Sequence, residues 1–330
     1  MKTLLVALVL FFGQTKPGND GKSLNRSRDI DRKEAEELIS FGASYEVQSP
    51  QIQRIVSCRL EGKSCEDKLF STLQRCNSLE ELNLIECNID GDGIRKICNQ
   101  RIKALRIINC KISSSSIESI LSAKGLRYLD LSGSIPDGMS LNKHINQTIT
   151  HLVLSNNNLS SSFLLNSFHD KINYLDLGFC DFENKSDLSN IKKIDSIKTL
   201  ILNGVNLDTE KFGFDDLSDL KLESLDISHC NLSNSSISKL KLLSALKHLD
   251  ISSNGLDDSN FKEITELKKL VYLNVSKNYV TSKGINSISS LNDLTTIVAY
   301  GTGVDELFFA KDIIRKINDK SLRIISGDEN

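Results

Sequence analysis

The chain reads as an α/β solenoid, a horseshoe with a parallel sheet lining its concave side and short helices on its convex back. Three observations predict this. One apolar pattern returns ten times, at intervals of 23 to 25 residues. Each return carries two leucine-like residues separated by one variable position, the mark of a short strand with one buried face. The rest of each unit spaces its apolar residues three or four apart, as one side of a helix requires.

The first residues stand apart from that pattern. Met1-Lys2-Thr3 precede a 9-residue apolar run, Leu4 to Phe12, followed by Gly13-Gln14-Thr15-Lys16-Pro17. A basic start and a short apolar segment are the layout of a secretory signal peptide, with Gly13 and Thr15 as the small residues of a cleavage site. The competing reading is a hydrophobic terminus or a first strand. Residues 1–18 are therefore set aside as a signal segment, and the location they imply is secreted or cell surface. Residues 19–78 read as an N-terminal cap. Arg28 to Phe41 is expected to form an amphipathic helix, and Ile52 to Leu60 a degenerate first strand.

The repeats occupy residues 79–304. Counting from the first apolar residue, positions 1, 4, 6, 9 and 11 are Leu79, Leu82, Leu84, Cys87 and Ile89 in the first copy. Later copies begin at Ile102, Leu126, Ile149, Ile172, Ile197, Leu222, Leu246, Leu270 and Leu294. The third copy places its last apolar residue, Ile135, one position early. Position 9 is a turn, where a side chain must satisfy backbone groups: Asn157, Asn254 and Asn278 in three copies, Cys87, Cys110, Cys180 and Cys230 in four. Asparagine does this well and a thiol weakly. Helical spacing follows in Ile117-Ile120-Leu121, Ile237-Leu240, Phe261-Ile264-Leu267 and Ile285-Ile288-Leu291. Ser and Asp residues that can cap a short helix precede many of them. One unit cannot bury its own apolar stripe, so neighbours must stack. Residues 305–330 read as a C-terminal cap and tail. Val304 to Asn318 is expected to present Leu307, Phe308, Ile313, Ile314 and Ile317 on one side and close the core, with Leu322–Ile325 as a last strand.

This pattern resembles the leucine-rich repeat superfamily, and its short units and Cys/Asn alternation are similar to the ribonuclease-inhibitor-like and short GALA-type branch. The resemblance covers Leu79 to Val304. It implies a binding protein and little more, because such folds host many functions.

Cysteine usage divides in two. The four thiols at position 9 read as buried turn residues. Cys76 falls on an inward position taken by Leu243 and Leu267 in later units, while Cys58 and Cys65 lie in the cap, where they are the pair to test for a disulfide. No CxxC spacing and no Cys/His cluster suggests a metal, and no cofactor is expected.

The variable strand positions point away from the core. Position 3 reads Glu81, Ala104, Tyr128, His151, Tyr174, Thr199, Ser224, His248, Tyr272 and Thr296. Position 5 reads Asn83, Arg106, Asp130, Val153, Asp176, Ile201, Asp226, Asp250, Asn274 and Val298, and positions 7 and 8 add Tyr300 and His229. Four of the six tyrosines and three of the five histidines thus share one face. Amphipathic rings beside carboxylates are frequent contact residues of protein interfaces. Tyr128, Asp130, His151, Tyr174, Asp176, Asp226, His248, Asp250, Tyr272 and Tyr300 are the expected contacts with a protein partner. The bland alternative is that Asp at position 5 and Ser at position 7 suit a solvated strand, and that the tyrosines cover aliphatic neighbours. Ten strands at about 4.8 Å give a face of roughly 43 Å, better suited to a folded protein or an extended peptide than to a small molecule.

Other classes fare worse. A net charge of −2 gives no electrostatic case for nucleic acid. No apolar run approaches the roughly 18 to 20 residues of a membrane span. No nucleophile accompanies His248 and Asp250, so no enzyme is expected, and no cysteine follows Val304 to serve a ligase domain. An intracellular adaptor or inhibitor, as the resemblance also allows, would keep its thiols free. Among several Asn-x-Ser/Thr sequences, Asn146 and Asn184 lie in loop-like segments and are the candidate glycosylation sites.

Overall fold

The structure, a computed structural model, describes residues 31–49, 52–89, 93–98, 102–141, 146–160, 163, 169–182, 185–207 and 217–327. The signal segment expected over residues 1–18 lies outside them, as does Asn184.

Thirteen strands of the described residues form one sheet. They are β1 (Ser44–Ser49), β2 (Ile52–Glu61), β3 (Glu81–Ile85), β4 (Ala104–Ile108), β5 (Tyr128–Asp130), β6 (His151–Val153), β7 (Tyr174–Asp176), β8 (Thr199–Ile201), β9 (Ser224–Asp226), β10 (His248–Asp250), β11 (Tyr272–Asn274), β12 (Thr296–Tyr300) and β13 (Arg323–Gly327). β1 runs antiparallel to β2, and every later neighbour is parallel. The ten repeat strands are β3 to β12, and like pairs with like along them. Leu82 sits opposite Leu105, Leu200 opposite Leu225, and Leu249 opposite Leu273. All six are at most 2% exposed. Because successive side chains alternate across a strand, a one-residue slip would turn this whole row into solvent. Each fully buried leucine contributes about 1.5–3 kcal/mol, which holds the register.

The repeat extends one unit further toward the N-terminus than the ten-copy count. Cys58 pairs with Leu82 and Cys65 with Ile89, so Ile55, Cys58, Leu60 and Cys65 fill positions 1, 4, 6 and 11 of a preceding rung. Cys58 and Cys65, the expected bridge, stand there as two buried free thiols on positions that leucine and isoleucine take in the next unit. Burial pushes the Cys58 thiol up to about 12, and burial first, with Cys87 beside it, raises Cys65 as well. The helix expected from Arg28 runs Arg32–Ser40. It is fastened by Asp31, whose buried carboxylate accepts the Ile55 amide at 2.8 Å, and by Arg75, which bonds Glu34 at 3.0 Å and Glu37.

The turn after each strand has two fixed features. Position 8 adopts a left-handed φ in all ten repeats, between +53° at Glu86 and +74° at Gly204. Position 9 builds a ladder across the repeats. The Asn254 amide group donates to Ile227 O at 2.8 Å and Ile251 O at 3.1 Å, and its oxygen accepts Cys230 N–H at 2.9 Å and Leu232 N–H at 3.3 Å. Asn157 and Asn278 act alike on Leu131 O and Ile251 O. The thiols imitate them: Cys110 Sγ accepts Cys87 N–H at 3.3 Å and donates to Leu84 O at 3.4 Å. Cys180 and Cys230 donate to Leu154 O and Leu202 O. Among the described residues the ladder lapses at two rungs, and at one of them Thr302 bonds within its own repeat, to Ala299 O and the Val304 amide. At the other, Val205, buried at this position, has no polar atom to offer, and the Cys180 amide turns back to Leu177 O instead.

The helical side carries short helices such as Ser114–Leu121, Asn234–Ser238 and Ser282–Ser287, with 3-10 turns between them. Ser113, Ser233 and Thr281 cap these three through their side-chain oxygens. The apolar residues expected at helical spacing, Ile117 to Leu291, are all buried.

The C-terminal cap differs from expectation. Val304 to Asn318 is not one helix: a 3-10 turn, Glu306–Phe308, precedes the helix Lys311–Asn318. The break shifts the helical phase, so Phe309 and Ile313 close the core, while Leu307, Phe308 and Ile314 are 87%, 70% and 43% exposed.

Candidate protein-binding face

Positions 3 and 5 lie on the sheet face opposite the leucine rows, as strand alternation demands. On β5, β6 and β7 the position-3 rings form a stack. Tyr128 and His151 have ring centroids 6.3 Å apart at 28°, and His151 and Tyr174 are 5.7 Å apart at 19°. Cross-strand aromatic pairs of this kind stabilise a sheet by a few tenths of a kcal/mol to about 1 kcal/mol each. Arg106 closes one end of the stack. Its guanidinium lies 4.4 Å from the Tyr128 ring centre and bonds Glu81 and, at 3.0 Å, Asn83. A second, smaller pair follows on β10 and β11, where His248 and Tyr272 lie 6.3 Å apart at 37°. Between the two groups the row holds only Thr199 and Ser224.

The position-5 carboxylates are less open than the sequence suggests. Asp130 and Asp250 are 7% and 9% exposed, and Asp176 and Asp226 are half-buried. Each closes its own turn. Asp226 accepts the Ser228 amide at 2.9 Å and hydroxyl at 2.7 Å, Asp250 does the same with Ser252, and Asp176 takes the Gly178 amide at 2.8 Å. Asn274 makes the same turn with Ser276, so the turn requires an acceptor oxygen and not a charge. Burial pushes Asp176 up to about 6, with Asp130 and Asp226 adding to the shift and the Gly178 amide opposing it. Burial and Asp250 do the same to Asp226, also to about 6. Burial lowers His151 below the usual imidazole range, and it lowers His248 as well. Tyr272 is raised to about 12, chiefly by burial.

The structure thus brings Tyr128, His151 and Tyr174 together and joins His248 to Tyr272. Tyr300 stands apart, at the turn end of β12, where its amide donates to Ser276 Oγ. Three residues were not among the expected contacts. Arg106 and Glu81 were visible only as members of the variable rows. Phe179 occupies the left-handed position 8 with φ +54° and is 53% exposed. A bulky residue at positive φ is a genuine outlier. Its room is made by Gly204 in the next repeat, where an added Cβ would come within 2.3 Å of the Phe179 ring. The signal for it was a phenylalanine at a position that neighbouring repeats fill with Asn, Gly or His.

Among the described residues no helix is long and apolar enough to cross a membrane. Asn146, the candidate glycosylation site that is described, is half-buried; its Oδ1 accepts the Thr148 amide and its Nδ2 donates to Ser122 O at 3.4 Å.

Comparison with known families agrees with the repeat reading. A leucine-rich repeat family model matches residues 75–98, 219–241 and 244–259. No curated protein matches the sequence significantly. Among solved structures, an internalin of Listeria monocytogenes aligns over 92% of this chain and 95% of its own, with 16% identity and a TM-score of 0.47. Internalin C2 of the same organism aligns over 65% and 84%, at 19% identity and 0.40. A leucine-rich repeat protein of Leptospira interrogans aligns over 79% and 81%, at 18% and 0.42. Nothing about function follows from likenesses of this order.

Proposed function

We propose that this leucine-rich repeat chain is a secreted or cell-surface binding module that engages another protein through the sheet face opposite its core, without catalysis. One observation carries the reading: five position-3 rings, Tyr128, His151, Tyr174, His248 and Tyr272, stand half-buried or exposed in two groups on that face. Aromatic residues with a polar edge supply contact area at low entropic cost and recur as anchors of protein interfaces. Export rests on the basic and apolar start of the sequence and on that alone.

The test is capture of a partner by the purified chain, beside a variant with Tyr128, Tyr174, His248 and Tyr272 changed to alanine. Loss of the partner at an unchanged melting temperature supports the face. Retention of the partner assigns binding to the loops or the helical side and refutes the reading.

A second reading has its own support. All eight cysteines are buried free thiols, the state a reducing compartment maintains. It is that of an intracellular adaptor or inhibitor of the ribonuclease-inhibitor-like branch, to which the Cys/Asn ladder is similar. The N-terminus of the mature protein separates the two: one beginning near Gln14–Lys16 supports export, and an intact Met1 on cytoplasmic material supports the second.

A further inference from the structure

The stack on β5 to β7 has two ends, and only one is closed. At the Tyr128 end the chain supplies its own cation: Arg106 lies on the ring and pairs with Glu81. At the Tyr174 end the next two strands offer Thr199 and Ser224, and no ring returns until His248. Three strand spacings separate Tyr174 from His248, roughly 14 Å at about 4.8 Å each. Along this gap position 5 supplies Asp176, Ile201 and Asp226 in register. Among the described residues no cation forms an ion pair with Asp176 or Asp226; their charged neighbours are Asp130 and Asp250, and the His229 imidazole acts on Asp226 from the turn.

We infer that this gap receives an arginine side chain of an extended segment of the partner protein, its guanidinium on the Tyr174 ring and between the carboxylates of Asp176 and Asp226. The inference rests on the proposed function and narrows it to a partner of stated chemistry. Three physical arguments carry it. At the opposite end the chain itself lays Arg106 on a position-3 ring and pairs it with a position-3 carboxylate, Glu81, so a guanidinium fits against the rings of this row. The planar guanidinium stacks on aromatic rings and bonds carboxylates in pairs, which a lysine ammonium cannot do. An aliphatic stem needs an apolar bed, and Ile201, 8% exposed, lies between the two acids. Bringing a cation there also relieves two carboxylates that are partly desolvated and repel each other.

The experiment uses the full chain and a fluorescein-labelled hexa-arginine peptide, with hexa-lysine and hexa-glutamate as comparison probes, read by anisotropy at pH 7.5. Two variants address the gap by different routes. Asp176→Asn with Asp226→Asn removes the charge and keeps the turn acceptor, as Asn274 already does; Ser224→Tyr fills the gap and leaves the acids. A control, Asp293→Asn with Asp312→Asn, removes the same charge from exposed positions elsewhere. Hexa-arginine is expected to bind more tightly than hexa-lysine, and each gap variant to weaken it at least tenfold while the control does not. Equal loss in the control, or equal binding of hexa-lysine, means attraction to net charge alone and overturns the inference. So does binding that survives both gap variants, or no binding at all. Failure here is distinct from failure of the functional reading: if the peptide ignores the gap while the four-alanine variant still loses its partner, the face stands and the arginine assignment falls.

Discussion

The position-9 ladder can be tested by replacing Asn254 with alanine. The substitution leaves the buried amides of Cys230 and Leu232 without their acceptor and removes a donor from Ile227 O, all within 3.3 Å of the side chain now. A buried donor left unpaired costs about 1–3 kcal/mol. Two such amides and the small void left behind total about 4 kcal/mol. Asn254→Cys should cost far less, about 1–2 kcal/mol, because a thiol at this position accepts an amide and donates to the preceding repeat, as Cys110 does. Asn254→Val, which copies Val205, loses the bonds but fills the space, and should fall between. Urea unfolding followed by circular dichroism reads these differences on the transition of the block that contains Asn254, with the slope of that transition required to stay constant across variants. An alanine cost below about 1 kcal/mol, or a cysteine as costly as alanine, would mean the ladder does not hold the turns.

Other outcomes follow from neighbouring features. Leu249→Asp buries an unpaired carboxylate where the wild-type leucine is fully enclosed, and should cost more than about 4 kcal/mol with loss of hydrogen-exchange protection in β9 to β11; wild-type stability would contradict the register. Gly204→Ala meets both a φ of +74° and the Phe179 ring, and should cost about 1–2 kcal/mol, a penalty that shrinks in a Phe179→Ala background; an undiminished penalty assigns it to the backbone alone. Asp176 and Asp226 titrate near 6 in the folded chain and at about 3.9 when unfolded, so between those values the folded state binds more protons. Their contribution therefore raises stability as pH falls from 7.5 toward 4. Thermal melts of the wild type against the Asp176→Asn, Asp226→Asn variant should show a larger gain in the wild type, since Asp130, also raised by burial, remains in both, and identical pH profiles would refute it. Alkylation of the denatured, unreduced chain should modify all eight cysteines; a mass two alkyl groups short, mapped to Cys58 and Cys65, would establish the bridge instead.

The fold was open to reading because the leucine rows are a core constraint repeated at a fixed interval, and a core constraint leaves little freedom. The same logic failed at the C-terminal cap. There the spacing predicts one continuous helical wheel, and a 3-10 turn before Lys311 rotates Leu307 and Phe308 outward. On the sheet face, which side each residue takes was legible, since alternation sets it. How deeply each sits was not. Asp130 and Asp250 are drawn in by serines two residues on, a turn bond that strand period alone does not specify. The Arg106 contact with Tyr128 depends on neighbouring strands being in register, so it emerges only once the repeats are stacked.

Val205 gives the array a seam. In a stacked chain each unit is stable only through its neighbours, so cooperativity is as strong as its weakest junction. The junction around Val205 lacks the side-chain tie that spans the units before and after it. Under rising denaturant the units up to the one that holds Cys180 and those from Ile197 onward should therefore melt as two blocks with separate midpoints. A proteolytic nick would be expected first between them, and Val205→Asn should merge the two transitions into one.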